Sequence, residues 1–234
     1  MHKSGKQWGT LWGFGLMAIA LLAMPAPQTA SAARRDSSEV NRILVLGDSL
    51  SAGFMLNPSE AWPMLLVNKL RDDGLQFEVT NASQSGGTTT GGLARLPPHL
   101  KKKVDIFVVE LGINDAFRGL PVEQIGANLQ KIIDQVRDAS PGVQVVIAGM
   151  QLPDYGEDGY VRDFGQMYLD LASKNHAALI PYLLQGVGGN PALNLSDRIH
   201  PNAAGHKLLA ENVWRILEPI ARQVAEHRTA AATR

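Results

Sequence analysis

The chain has 234 residues, 45% hydrophobic and 19% charged, which suits one α/β domain around a single core and is too short for two comfortable ones. Its 22 basic and 22 acidic residues cancel, so no basic stripe is available to neutralise a phosphate backbone, and nucleic acid is not an expected partner. Cysteine is absent, which removes disulfides, thiolate nucleophiles and thiolate metal sites.

At the N-terminus, Lys3 and Lys6 precede an almost purely apolar run over 11–24, and Gln28-Thr29-Ala30-Ser31-Ala32 ends in a small-x-small pattern. That order predicts a signal peptide over 1–32, cleaved after Ala32, and a short polar segment over 33–40. An uncleaved anchor is the alternative, but the run falls short of the roughly 20 residues a spanning helix needs, and Gly13, Gly15 and Pro25 weaken it. No cysteine follows to carry a lipid. The expectation is a periplasmic or secreted protein with no stable membrane anchor after signal cleavage.

Beyond this segment, strand-length apolar runs alternate with helical patterns. Continuous runs over 43–46, 104–111 and 143–148, each closed by glycine or polar residues, predict buried strands, with weaker strands over 77–80 and 178–183. Helical spacing covers 60–72, 122–138, 160–174 and 203–227, the second ended by Ser140-Pro141-Gly142. Alternation of this kind predicts a five-stranded parallel sheet in a three-layer α/β/α sandwich, one domain over 41–227, with a disordered tail over 228–234. Ligands of such sheets gather at the carboxyl ends of the strands.

The first strand runs into Gly47-Asp48-Ser49-Leu50-Ser51. A serine one tight turn beyond a buried strand can present its hydroxyl to solvent, with Gly47 read as allowing the bend. Ser49 or Ser51 would serve equally as a plain helix cap. Far downstream lies Asp197-Arg198-Ile199-His200-Pro201. A serine hydroxyl needs an imidazole base, and the imidazole needs a carboxylate to hold its tautomer. The three-residue separation lets Asp197 and His200 meet, and Pro201 starts the last helix. A loop aspartate and a surface histidine remain the alternative. Two more segments, Asn81 to Gly87 and Gly112-Ile113-Asn114-Asp115, follow the second and third strands and should open at the same edge as Ser49. The N–H groups of Ser49 and Gly86 and the Asn114 amide would supply three oxyanion donors, unless Gly86 and Asn114 are simply turn residues.

These four segments, in this order, resemble the four blocks of the SGNH, or GDSL, hydrolases, and they span nearly the whole mature chain. Within that superfamily the stretches Leu46 to Gly53, Asn81-Ala82-Ser83 with Gly91 to Pro97, and Val109 to Asp115 running into Arg118-Gly119-Leu120 are similar to the periplasmic thioesterase I/protease I/lysophospholipase L1 group and its arylesterase relatives. The resemblance implies a flavodoxin-like strand order, Ser49 as nucleophile, Asp197 and His200 completing the triad, and Gly86 and Asn114 as oxyanion donors. It also implies no metal or organic cofactor and a monomer. That group usually carries glycine where Ile113 and Arg198 stand, and often an acidic residue where Gly87 stands. The implied substrate is a small-molecule acyl ester or thioester of the arylesterase, acyl-CoA thioesterase or lysophospholipase type. Two alternatives are a carbohydrate acetylesterase of the same superfamily and a non-catalytic periplasmic binding protein.

For substrate contact, Ile113, Phe117 and Leu120 lie beside or just after Asn114, while Met150, Leu152, Pro153 and Tyr155 leave the fourth strand at the same edge, so both groups are candidates. Lys101-Lys102-Lys103 reads as a solvated helix end, and His206 as an ordinary helix residue.

Overall fold

The computed structural model describes residues 40–153 and 159–232. The expected signal segment, nearly all of the polar segment after it, and Tyr155 lie outside the described residues. Strand β1 (Asn41–Gly47) leads into a short helix α1 (Ser49–Ala52), a 3-10 turn over Pro58–Glu60, and helix α2 (Trp62–Asp72). Next come β2 (Phe77–Asn81), α3 (Thr89–Arg95), a second 3-10 turn over Pro97–Lys101, and β3 (Ile106–Glu110). Then follow α4 (Ile113–Phe117), α5 (Val122–Ala139), β4 (Gln144–Ala148), α6 (Gly159–Lys174), β5 (Ala178–Ile180) and α7 (Ala203–Ala232).

All neighbouring strands pair in parallel, in the order β2-β1-β3-β4-β5. That is the flavodoxin-like doubly wound order, in which the chain winds one way from β1 to β2 and the other way from β3 onward. Helix α2 packs with α7, and α5 packs with α3 and α6, giving the two helical layers of an α/β/α sandwich. The central strands are apolar along most of their length because both of their faces are covered. Ile43, Val45, Leu46, Ile106, Phe107 and Val108 have no exposed surface. In α5, Ile125, Leu129, Ile132, Ile133 and Val136 recur at helical spacing and are buried, each such side chain contributing roughly 1.5–3 kcal/mol.

Several boundaries differ from the sequence expectation. Strand β5 stops at Ile180 because Pro181 has no N–H to continue the ladder, although Leu183 still reaches the core. Helix α7 continues past His227 to Ala232, through an alanine-rich stretch of high helix propensity, and Arg228 Nη1 donates to Asn41 Oδ1 at 3.0 Å. The expected tail over 228–234 is therefore largely the last turn of this helix. His206 is not an ordinary helix residue: it is buried on α7, and its Nδ1 accepts the N–H of Trp62, the first residue of α2. Desolvation lowers its pKa to about 4, which keeps the ring neutral and able to accept. The lysine run closes a 3-10 turn, with Lys103 Nζ 3.8 Å from Asp105.

Candidate active site

Strands β1 and β3 are adjacent, and the chain leaves them on either side of the switch point, so the loops after them open onto one crevice. Ser49 is the first residue of α1, at the end of β1; Asn114 lies in α4, just beyond β3. The helix cap is neither serine. Asp48 takes that role, its Oδ1 accepting the Leu50 N–H at 2.9 Å, while the Ser51 hydroxyl donates to Glu110 Oε2 at 2.7 Å. Ser49 is left with its hydroxyl free of local capping. Gly47 is needed for room and not for an unusual bend. A Cβ there would stand 2.6 Å from Ser51 Oγ and 2.7 Å from Glu110 Oε2.

The 197–200 turn is built by Asp197. Its Oδ1 accepts the backbone N–H groups of Ile199 (2.9 Å) and His200 (3.0 Å), and its Oδ2 lies 2.7 Å from His200 Nδ1. On the other side of the ring, His200 Nε2 is 3.0 Å from Ser49 Oγ. The hydrogen bonds from the His200 side chain and from the two amides lower the Asp197 pKa to about 2, so the carboxylate accepts only. In the neutral imidazole Nδ1 therefore carries the proton and Nε2 the lone pair, which makes the Ser49 hydroxyl the donor to Nε2. Phe54 packs its ring against His200, with centroids 4.4 Å apart. Arg198, between the two, has φ 60, so a bulky residue occupies a left-handed position suited to glycine. Ile113 is different. It has ordinary helical backbone, and the strained position belongs to Gly112, at φ 126, where a Cβ would also meet the Tyr168 hydroxyl at 2.5 Å.

The loop after β2 is fixed against β1 by main-chain bonds from Ala82 to Val45 (2.8 Å) and from Gln84 to Gly47 (3.1 Å). Arg95 ties the same two segments together, donating to the carbonyls of Ala82 and Gly47. In this loop Gly86 is exposed at φ 72 with open space around it, whereas the Gly87 N–H is used by the Gln84 carbonyl at 2.9 Å. Asn114 departs from a free donor: its Nδ2 gives one hydrogen to Asp48 Oδ2 at 2.9 Å and the other to the Gly87 carbonyl at 3.1 Å. Asp115, next to it, is buried and holds the backbone N–H and hydroxyl of Thr89 at the start of α3.

Of the candidate substrate contacts, Phe117 is 64% exposed, Ile113 and Met150 are buried in the core, and Leu120 and Leu152 are half-buried against it. Pro153 is exposed. Phe54, Arg95 and Glu110 were not singled out from sequence. Only Glu110 had a visible signal, as a carboxylate closing an otherwise apolar strand. Among the described residues no group of three or more His, Asp or Glu has the arrangement to hold a metal ion.

Comparison with known proteins agrees with this fold. Residues 45–208 match the GDSL-like Lipase/Acylhydrolase family. The chain is 41% identical to Esterase TesA of Pseudomonas aeruginosa, over 76% of this chain and 88% of that one. It is 38% identical to the Arylesterase of Vibrio mimicus (83% and 96%), and 36% identical to Thioesterase 1/protease 1/lysophospholipase L1 of Escherichia coli (79% and 86%). Among solved structures, the crystal structure of TesA superposes with a TM-score of 0.73 at 40% identity, covering 77% of this chain and 99% of that one. The chain belongs to the GDSL-like lipase/acylhydrolase family and is a carboxylic ester hydrolase acting on small-molecule esters.

Proposed function

We propose that hydrolysis proceeds through an acyl-enzyme on Ser49, with His200 as general base and Asp197 as its orienting carboxylate. The observation that supports this most directly is the line from Ser49 Oγ to His200 Nε2 (3.0 Å) and from His200 Nδ1 to Asp197 (2.7 Å). Ser49 Oγ attacks the acyl carbon as its proton passes to Nε2, and the imidazolium that forms is stabilised by a carboxylate too acidic to take the proton itself. The tetrahedral oxyanion is received by the N–H groups of Ser49 and Gly86 and by Asn114 Nδ2, which exchanges its 3.1 Å bond to the Gly87 carbonyl for the stronger charged acceptor. Each such donor is worth about 3–4 kcal/mol in the transition state. His200 then returns the proton to the leaving alcohol or thiol, and the same imidazole activates the water that frees the acid.

The acyl group is apolar in this reading, with the exposed ring of Phe117 on α4 as its first contact and Leu120, Leu152 and Tyr155 as further candidates. The positive, apolar and small-residue order over 1–32 supports export before the enzyme acts, and the family resemblance implies that it acts as a monomer. The test is hydrolysis of p-nitrophenyl esters over a range of acyl lengths by the mature protein and by Ser49→Ala. The variant is expected to lose about 10⁴–10⁶ of kcat while keeping its far-UV circular dichroism. Rates that rise with chain length support the lipid-type substrate, and activity confined to acetate would favour a carbohydrate acetylesterase. Full activity in Ser49→Ala would overturn the assignment.

A further inference from the structure

Directly behind the nucleophile lie two buried carboxyl groups that the mechanism above does not use. Glu110 ends β3 and pairs in register with Gly47 of β1; neither Glu110 nor Asp48 has exposed surface. Glu110 Oε2 accepts the Asp48 N–H at 3.1 Å and the Ser51 hydroxyl at 2.7 Å, while Oε1 has no hydrogen-bond partner among the described residues. Asp48, by contrast, accepts N–H donors at both oxygens, from Leu50 and Asn114. The charged and titratable groups facing this pair are Arg95 from α3, Tyr168 from α6 and His200 across the site. Tyr168 gives its hydroxyl to the Leu111 carbonyl, so among the described residues the one permanent positive charge near the pair is Arg95.

One guanidinium balances one carboxylate. Two ionised carboxyls in contact would leave a buried anion uncompensated, with an oxygen that no donor reaches, so the pair must share a proton. The hydrogen-bond pattern says where it resides. Two N–H donors favour the anionic form at Asp48, and the unpartnered oxygen favours the acid at Glu110. We propose that Glu110 is a positioning residue, held as a neutral acid that gives its O–H to Asp48, so that Asp48 remains the anion that holds the Asn114 amide and the first turn of α1. Burial also raises Glu110 well above the ordinary carboxyl range, and Asp48 to about 6. The link to catalysis rests on Asn114 and Ser49 acting as proposed above, but the protonation state can be read without turnover.

The test begins with the wild-type protein at pH 7.5 and its infrared spectrum. A carbonyl stretch of a protonated carboxylic acid is expected in the folded state, moved by carbon-13 labelling of glutamate and not of aspartate. Stability gives a second reading. A carboxyl whose folded pKa is raised contributes stability that is full below its unfolded value and lost as pH rises. The wild-type folding constant should therefore fall more steeply than that of Glu110→Gln, by up to about tenfold per pH unit above pH 6.5. In turnover, Glu110→Gln, which keeps an N–H donor to Asp48, should lose less than about tenfold in kcat. Glu110→Ala should lose roughly 10²–10³, the loss of one oxyanion donor, with little change in KM. No acid band, a band that follows labelled aspartate, or equal pH slopes would overturn the proposal. The infrared result decides if Glu110→Gln does not fold. An acid band in an enzyme whose Ser49→Ala variant stays active would leave Glu110 as described and remove the catalytic reading instead.

Discussion

Asp197 and His200 are brought together by a turn that requires Arg198 to sit at φ 60. A left-handed conformation costs an ordinary residue about 1–2 kcal/mol, and glycine relieves it while losing roughly 0.5–1 kcal/mol of chain entropy on folding. Arg198→Gly is accordingly expected to stabilise the fold by up to about 1 kcal/mol, seen as a rise of roughly 2–4 °C in Tm. An unchanged or lower Tm would mean that the guanidinium makes compensating contacts. At Asp197 the argument is electrostatic. Its pKa is depressed to about 2, so its charge is present above the ordinary carboxylate range and is lost only as pH falls through about 2. Titration of Asp197 therefore contributes nothing to the activity profile at neutral pH. Asp197→Asn removes the acceptor that sets the tautomer, and should lower kcat about 10³–10⁴-fold with KM within a few-fold, measured on a short p-nitrophenyl ester.

The elements around the site depend on glycines where side chains press close. Gly47→Ala would drive a methyl group into Ser51 and Glu110 at under 3 Å, inside a buried polar cluster. It should destabilise the protein by about 1–3 kcal/mol, read from the urea midpoint, and lower kcat because the first turn of α1 shifts. The same close packing explains what the sequence did and did not disclose. The long strands and helices were legible because their apolar residues repeat at the right period, as in α5. Helix α3 was not, since Gly91 and Gly92 are poor helix formers; Gly92 is there because a Cβ would meet Leu111 Cδ1 at 2.6 Å. Helices α1 and α4 are too short for any periodicity to appear. Within the site, spacing marked Ser49, Asp197 and His200 as candidates and the family resemblance implied their roles, but the engagement of both Asn114 hydrogens and the packing of Phe54 on His200 are long-range contacts with no local signature.

At the scale of the whole molecule, the parallel sheet gathers residues far apart in sequence because every strand delivers its following loop to the same edge. Ser49 after β1, Asn114 after β3 and His200 before α7 gather there with the loop after β2 that carries Gly86, without any of them being a neighbour of another in the chain. Arg95 and the Asp48–Glu110 pair lie beneath, joining β1, the loop after β2 and β3 into one support. Ser49 is the one residue on which this arrangement turns. The most direct measurement is covalent trapping of the folded enzyme with an alkyl p-nitrophenyl phosphonate, followed by peptide mass spectrometry. One adduct per chain, on the peptide containing Ser49, with matching loss of esterase activity and none in Ser49→Ala, is the predicted result. An adduct on another residue, or an active enzyme that takes up no phosphonate, would contradict it.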